Sequence, residues 1–267
     1  MPQTLSPLAL SKECRAQFAN VRLVATDMDG TLTVNGQFKP TLLLAFEKLA
    51  ELGIPVMIVT GRSAGWVSGL VHYLPVVGAI AENGGLYIPK PSVDTPNPEP
   101  MILPDIPRMT QHRDRLETLF NKLKTRYPTL RPSIDNTFRI TDWTFDIEGL
   151  TSEDIALMQE TCEHHAMGFT YSNVQCHLKI ARQDKAQGLT RVLQRHFPQL
   201  SASEVLTVGD SPNDESLFDA EQFPCSVGVA NVAHYLPDLA HHPRYVTQAS
   251  EGAGFVELVK CLMTARA

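Results

Sequence analysis

The stretch VRLVATDMDGTLT, residues 21–33, decides the fold. Val21 to Thr26 is a short apolar run without polar alternation, the pattern of a strand buried on both faces of a parallel sheet. It stops at Asp27, and Asp29 follows after a single residue. If the strand geometry continues that far, both carboxylates leave the same side, and Gly30 permits the tight turn beyond them. Two carboxylates this close repel each other. They become tolerable when a cation sits between them, or when one keeps a proton, which separates an ionised nucleophile from a general acid. Taken alone, an Asp-x-Asp-Gly turn is equally a solvated loop.

Working outward, two more apolar runs end on oxygen-bearing side chains: Pro55 to Val59 before Thr60, and Val205 to Val208 before Gly209-Asp210. Both read as buried parallel strands. Between the first two strands, TLLLAFEKLAELG (41–53) sets Leu42, Phe46, Leu49 and Leu52 on one helical face, with Gly53 as the stop. SAGWVSGLVHYL (63–74) repeats the pattern, with Trp66, Leu70 and Tyr73 as the expected buried stripe, before another apolar run at Val76 to Ala81. The alternation then breaks. Seven of the 19 prolines fall between Pro89 and Pro107, a density that marks a linker or an edge loop. Beyond it the pattern predicts a helix from His112 to Tyr127, an alternating strand in FRITDWTFDI (138–147), a helix from Ser152 to Met167 and a strand pair around Gly168 to Ile180. From Lys185 the strand-and-helix pattern resumes, through a helix after Pro212, and ends in a helix from Gly254 to Met263. The expected fold is α/β: a Rossmann-like parallel sheet core flanked by helices, built from residues 1–84 and 183–267, with residues 85–182 inserted as a smaller α+β domain.

A parallel sheet binds ligands outside the carboxyl ends of its strands, so Asp27, Thr60 and Asp210 become neighbours despite their separation in sequence. Asp214 adds another carboxylate one turn beyond Asp210, and such a cluster calls for a hard, oxygen-seeking ion such as Mg²⁺. Lys185, at the start of a helix, supplies a fixed positive charge. Thr60 offers a hydroxyl, and the N–H groups of Met28, Asp29 and Gly61 add neutral donors, so the group recognised is a phosphoryl dianion. Singly, Thr-Gly-Arg is ordinary helix capping, Gly-Asp-Ser-Pro-Asn-Asp a plain turn, and Lys185 a surface lysine. Together and in this order, each at the terminus of a strand or helix, they point to phosphoryl chemistry.

Composition narrows the alternatives. The chain has 267 residues, 43% hydrophobic and 19% charged, with 23 Lys and Arg against 29 Asp and Glu, a net charge of −6. There is enough apolar material for a core, and no electrostatic reason to expect nucleic acid as a partner. No run approaches the length of a membrane-spanning helix, so no membrane partner is expected. Residues 1–18 lack a basic start and carry only Leu8-Ala9-Leu10 as an apolar run, which does not fit a secretory signal, so a cytoplasmic location is expected. The five cysteines follow no disulfide or zinc spacing and read as reduced, mostly buried thiols.

The residues now in view resemble the haloacid dehalogenase superfamily, and within it the Cof-type and sucrose-phosphate-phosphatase-like branch with a large α+β cap of the C2 type. DMDGTLT (27–33), VTGR (59–62), Lys185 and GDSPNDESLF (209–218) look like its four motifs, and AENGGLY (81–87) looks like the branch's junction between core and cap. The resemblance implies a Mg²⁺-dependent phosphatase acting on a small phosphorylated metabolite, with a sugar phosphate as the expected class. It implies attack by Asp27 on phosphorus, an aspartyl-phosphate intermediate, and Asp29 as acid and then base. Thr60 and Lys185 would hold the transferring phosphoryl group. Metal binding would fall to Asp27, Asp210 and the Asp29 backbone carbonyl, with Asp214 orienting Lys185 or a metal-bound water. Gly61, Arg62, Asn83 and Asn213 are the substrate-binding candidates; Asn213 is the less regular of these, because Ser211-Pro212 stands where many relatives carry smaller residues.

In the insertion, Arg139, Asp142, His177 and Lys179 could reach a leaving group, but polar residues at every second strand position predict a solvated face, and Trp143 reads as core. His164-His165 and His241-His242 read as surface residues rather than a metal site. A phosphomutase of phosphomannomutase type remains a second enzymatic reading. A receiver-like signalling module is a non-enzymatic one, although Asp29 and the insertion argue against it. A monomer or small homo-oligomer is expected.

Overall fold

The computed structural model describes residues 6–8, 11–172 and 174–267, so the apolar run at residues 8–10 lies mostly outside the described residues. The first part of the chain runs β1 (Ser6–Pro7), α1 (Lys12–Ala19), β2 (Leu23–Thr26), α2 (Pro40–Glu51), β3 (Val56–Val59), α3 (Ala64–Tyr73) and β4 (Gly78–Ala81). Next come β5 (Leu86–Pro89), β6 (Met101–Ile102), α4 (Met109–Arg126), β7 (Trp143–Asp146), α5 (Ser152–His164), β8 (Met167–Tyr171) and β9 (Gln175–Ile180). The chain closes with α6 (Lys185–His196), β10 (Val205–Gly209), β11 (Cys225–Gly228), β12 (Tyr245–Val246) and α7 (Glu251–Arg266).

Among the described residues, nine strands form one sheet in the order β1-β12-β11-β10-β2-β3-β4-β5-β6. All neighbours from β1 to β4 in that order are parallel, and β5 and β6 add an antiparallel edge. The buried strands are apolar throughout because helices cover both faces. One face packs Val24, Ile58 and Val208 against Phe46, Leu49, Val67 and Phe255. The other packs Ala25, Met57 and Val205 against Ala186, Leu189 and Val192 of α6. Thr26 stands in register with Ile58 on one side and Val208 on the other, so β10, β2 and β3 end side by side. Chain order reverses across β2, the kind of switch point where an open α/β sheet forms its binding crevice.

The smaller sheet is antiparallel, β7-β9-β8, and packs Cys176 and Leu178 of β9 against Leu116, Phe120, Met158 and Cys162 of α4 and α5. The expected boundary at residues 84–85 falls in the turn between β4 and β5, yet β5 and β6 continue the large sheet, because Ala81 pairs with Leu86. The proline-rich segment links β5 to β6 and continues past β6, the edge strand of the large sheet among the described residues.

Three sequence expectations are corrected. In α3 the buried residues are Ala64, Val67 and Val71, whereas Trp66 is 47% and Tyr73 89% exposed. The small and β-branched residues fit under the helix, and the bulky aromatics face outward. The segment after Pro212 is a 3-10 turn over Pro212–Phe218 rather than an α-helix. The alternating run at 138–147 forms a strand only from Trp143, since a 3-10 turn occupies Ile134–Phe138 and leaves Arg139 outside the strand.

Candidate active site

Asp27 leaves the end of β2 and is almost fully buried. Its Oδ1 accepts a 2.5 Å hydrogen bond from Lys185 Nζ, which also donates to Asp214 Oδ1 at 2.6 Å. Local structure sets this meeting. Asp184 caps α6 by accepting from the Gln187 N–H, so Lys185 opens the helix. Gly84 lies against the same turn with φ of +90°, where a Cβ would sit 2.0 Å from the Asp184 carbonyl oxygen. Only glycine allows this approach.

Asp214 is the internal brace of the cluster. Its Oδ2 accepts from the N–H groups of Asp210 and Ser211, while its Oδ1 holds Lys185. Asp210 is buried and held by Thr31 Oγ1 at 2.8 Å and Asn231 Nδ2 at 2.8 Å. Gly30 makes room for it, since a Cβ there would lie 2.6 Å from Asp210 Oδ2. Carboxylate oxygens of Asp27, Asp210 and Asp214 lie within 4.8 Å of one another. Burial pushes the Asp27 carboxyl up to about 7; Lys185 opposes the shift, and Asp214 and Asp29 add to it. Asp210 is raised well above its ordinary value, first by burial and then by Asp27 and Asp214. Lys185 is raised despite its burial, because Asp214 and Asp27 hold its proton. More negative charge is gathered here than one lysine balances, and all the candidate ligands are hard oxygens, which fits a divalent ion of the Mg²⁺ type.

Asp29 turns the other way. Arg62 grips it with two parallel bonds, Nε to Oδ2 at 2.8 Å and Nη2 to Oδ1 at 2.7 Å, the fork geometry that binds carboxylates most firmly. The Asp29 side chain is therefore not part of the Asp27, Asp210 and Asp214 cluster. Thr60 follows β3 directly, with its hydroxyl accepting from the Arg62 N–H. Among the described residues the N–H groups of Met28, Asp29 and Gly61 have no protein acceptor, and Asn83 Nδ2 is buried without a partner. Asn213 Nδ2 donates to Asn83 Oδ1 at 3.0 Å. Asp27, Asp29, Thr60, Gly61, Arg62 and Asn213 line one cavity of about 20 Å³, with room for about one water. Asn83 and Asn213 also border a neighbouring, wider cleft.

The roof of the cavity comes from the smaller sheet. Gln175, His177 and Lys179 share one face of β9 and are all buried, which corrects the expected solvated face. Alternation separates two faces correctly, but here the polar one is covered by the core instead of water. A buried network secures it. Arg139 Nη1 donates to Asp142 and, across the junction, to the Gly61 carbonyl at 2.9 Å, while Asp142 Oδ2 meets His177 Nδ1 at 2.8 Å. Burial works against charge on Asp142, but Arg139 and then His177 hold its carboxyl below the usual range; burial lowers both His177 and Lys179. Trp143 packs against the core of the smaller domain, as expected.

Glu82, part of the AENGGLY stretch that resembles the junction between core and cap but not itself among the site candidates, ties the two parts together. Its buried carboxylate accepts from the N–H groups of Ala64, Ile140 and Thr141 and from the Thr141 hydroxyl. Thr31, inside the DMDGTLT stretch, and Asn231 are likewise not among the site candidates, since each acts on Asp210 from a segment distant in sequence. His164 and His165 are exposed, and the free cysteines are buried except for the half-buried Cys261. Among the described residues, no helix is long and apolar enough to cross a membrane.

Comparison with known proteins agrees with this architecture. Residues 24–97 match the family model described as haloacid dehalogenase-like hydrolase. The chain is 28% identical over 248 residues to the phosphoglycolate phosphatase of Methanothermobacter thermautotrophicus, covering 91% of this chain and 99% of that one. It is 25% identical over 251 residues to the phosphoglycolate phosphatase of Methanothrix thermoacetophila, covering 90% and 96%. Its fold matches that of the sucrose-phosphatase of Synechocystis in complex with sucrose and phosphate, with a TM-score of 0.66 at 17% identity over 90% of this chain and 97% of that one.

Proposed function

We propose, from the haloacid dehalogenase-like hydrolase architecture that this chain carries, that it is a Mg²⁺-dependent phosphatase of a small phosphorylated metabolite. In this reading residues 1–84 and 183–267, extended by β5 and β6 of the large sheet, form the catalytic core, and the rest of the insertion, with the β7-β9-β8 sheet, forms a cap that closes over it. The observation that carries the proposal is the Asp27 carboxylate, buried at the strand ends and held by Lys185 beside Asp210 and Asp214. The named relatives, both phosphoglycolate phosphatases, support the reaction class, while the sugar-phosphate expectation rests on the motif resemblance.

An Asp27 oxygen forms a bond to phosphorus while the bond from phosphorus to the leaving oxygen breaks, and Asp29 gives that oxygen its proton. The Asp29 carboxylate then takes a proton from water as the water oxygen attacks phosphorus, and Asp27 leaves as a free carboxylate. Lys185, the Thr60 hydroxyl and the open N–H groups of Met28, Asp29 and Gly61 hold the phosphoryl oxygens through both steps. Asp27, Asp210 and the Asp29 carbonyl would hold Mg²⁺, with Asp214 behind them. When bound, the ion supplies positive charge to the phosphoryl oxygens.

Metal removal tests the proposal in two ways. EDTA should abolish hydrolysis of p-nitrophenyl phosphate, and Mg²⁺ should restore it. The pH dependence follows from Asp27: its folded value is raised above the ordinary 3.8 to about 7. The stability this group contributes is therefore complete below about pH 4 and lost as the pH rises through about 7. A bound dication offsets that loss, so Mg²⁺ should raise Tm by about 5 °C at pH 8 and by less at pH 5. Turnover that persists in EDTA, or a Tm indifferent to Mg²⁺ at pH 8, would refute the metal assignment.

A further inference from the structure

Residues 60–62 carry two of the donors assigned above to the phosphoryl group, the Thr60 hydroxyl and the Gly61 N–H, and the bonds that hold this loop come from two different places. The core supplies most of them. The Thr60 N–H donates to the Ile80 carbonyl, the Thr60 carbonyl accepts from the Asn83 N–H, and the Arg62 carbonyl accepts from the Glu82 N–H. The Gly61 carbonyl differs: it accepts from Arg139 Nη1 at 2.9 Å, across the junction. Among the described residues it is the one backbone atom of the loop that is bonded to the insertion.

Arg139 is built to stay where it is. Its side chain is fully buried. Nε and Nη2 donate to Asp135 at 3.4 and 2.9 Å, Nη2 also to Gln175 Oε1 at 2.9 Å, and Nη1 to both oxygens of Asp142 at 3.0 Å. The guanidinium is thus engaged within the insertion on every side but one, and the remaining contact is the Gly61 carbonyl. No N–H is left over for a leaving group, and a fork already held this firmly loses little freedom on meeting one more acceptor.

What this contact fixes is a peptide plane. The Gly61–Arg62 peptide is trans, so its C=O and N–H point in opposite directions from one rigid unit. Arg139 holds the oxygen, and the N–H on the other edge donates to Thr60 Oγ1 at 3.2 Å. A hydroxyl that accepts in this way keeps its own proton to donate. Thr60 lines the small cavity beside Asp27, where a phosphoryl oxygen is the acceptor that proton would meet. Resting on the phosphatase reading above, we propose that Arg139 is a positioning residue for the phosphoryl group: from the cap it orients the Gly61–Arg62 peptide, and through that peptide the Thr60 hydroxyl. The phosphoryl-binding loop is then complete only while the cap is seated. Arg139 serves the part common to every phosphoester, whereas Asp29 serves the leaving oxygen.

The test is a double-mutant cycle on Mg²⁺-loaded full-length protein, read with p-nitrophenyl phosphate and ethyl phosphate as substrates and inorganic phosphate as competitive inhibitor. Arg139→Lys keeps the charge, but one ammonium cannot bond Asp135, Asp142 and Gly61 together. It should lower kcat/KM by about tenfold, part of what a hydrogen bond to a charged group contributes. The factor should be the same for both esters, and phosphate inhibition should weaken in parallel. In a Thr60→Val background the same substitution should cost less than about twofold, because the hydroxyl that it disturbs is gone. Asp135→Ala removes the half-buried partner of Nε and Nη2 and leaves Arg139 in place. It should repeat the pattern with about a threefold loss, and it carries the test if the lysine variant does not fold. Equal losses with and without the Thr60 hydroxyl would reduce Arg139 to a support of the fold and overturn the inference. A loss confined to one ester, or phosphate inhibition unchanged, would overturn it as well. All three outcomes leave the phosphatase reading standing, whereas wild-type protein that hydrolyses no phosphoester would remove both.

Discussion

Asp27→Asn is expected to lower kcat on p-nitrophenyl phosphate by about 10³-fold or more while leaving the fold intact. A carboxamide is a poor nucleophile, and Asn offers no second ionisable oxygen to replace the one that attacks phosphorus. Stability should survive because the folded protein already disfavours charge at this position: burial pushes the Asp27 carboxyl up to about 7. Lys185 also keeps its 2.6 Å bond to Asp214, so the substitution does not strand a buried cation. Initial rates show the first effect, and a thermal melt within a few degrees of wild type shows the second. Activity within tenfold of wild type would remove Asp27 from the chemistry.

Asp29→Ala should cost about 10²- to 10⁴-fold, and the size of the loss should depend on the leaving group. An alkyl oxygen needs a proton as its bond to phosphorus breaks, whereas p-nitrophenolate leaves readily without one. The second step needs Asp29 for every substrate, because the water that frees Asp27 must lose a proton. Alkyl phosphates should therefore suffer most and p-nitrophenyl phosphate least. Equal losses across a series of leaving groups would leave Asp29 with no role as an acid. The variant also frees Arg62, whose two bonds to Asp29 disappear.

The site was legible where chemistry interrupts a pattern. Three apolar strands that each stop on Asp or Thr identified the sheet edge, and the parallel fold then brought Asp27, Thr60 and Asp210 together. What escaped the sequence was anything decided by which surface covers which. The period-two pattern of Gln175, His177 and Lys179 marks one face of a strand but does not say whether water or another domain lies on it. Trp66 read as core because bulk and apolarity favour burial, yet the space beneath α3 admits only Ala64, Val67 and Val71. Glu82 stands in the AENGGLY junction stretch, but its role is not legible there: its partners include backbone N–H groups some 60 residues away, at Ile140 and Thr141, and no local spacing encodes them.

In the proposed reaction the phosphoryl group passes through covalent attachment to Asp27. Acid quenching of the Mg²⁺-loaded protein during turnover, followed by borohydride reduction and peptide mapping, reads this directly, because reduction converts an acyl phosphate into an alcohol at the residue that carried it. Conversion is expected at Asp27 in the wild-type protein and not at all in Asp27→Asn. Conversion at a different residue, or turnover with no acyl phosphate trapped at Asp27 under conditions that preserve one, would contradict it.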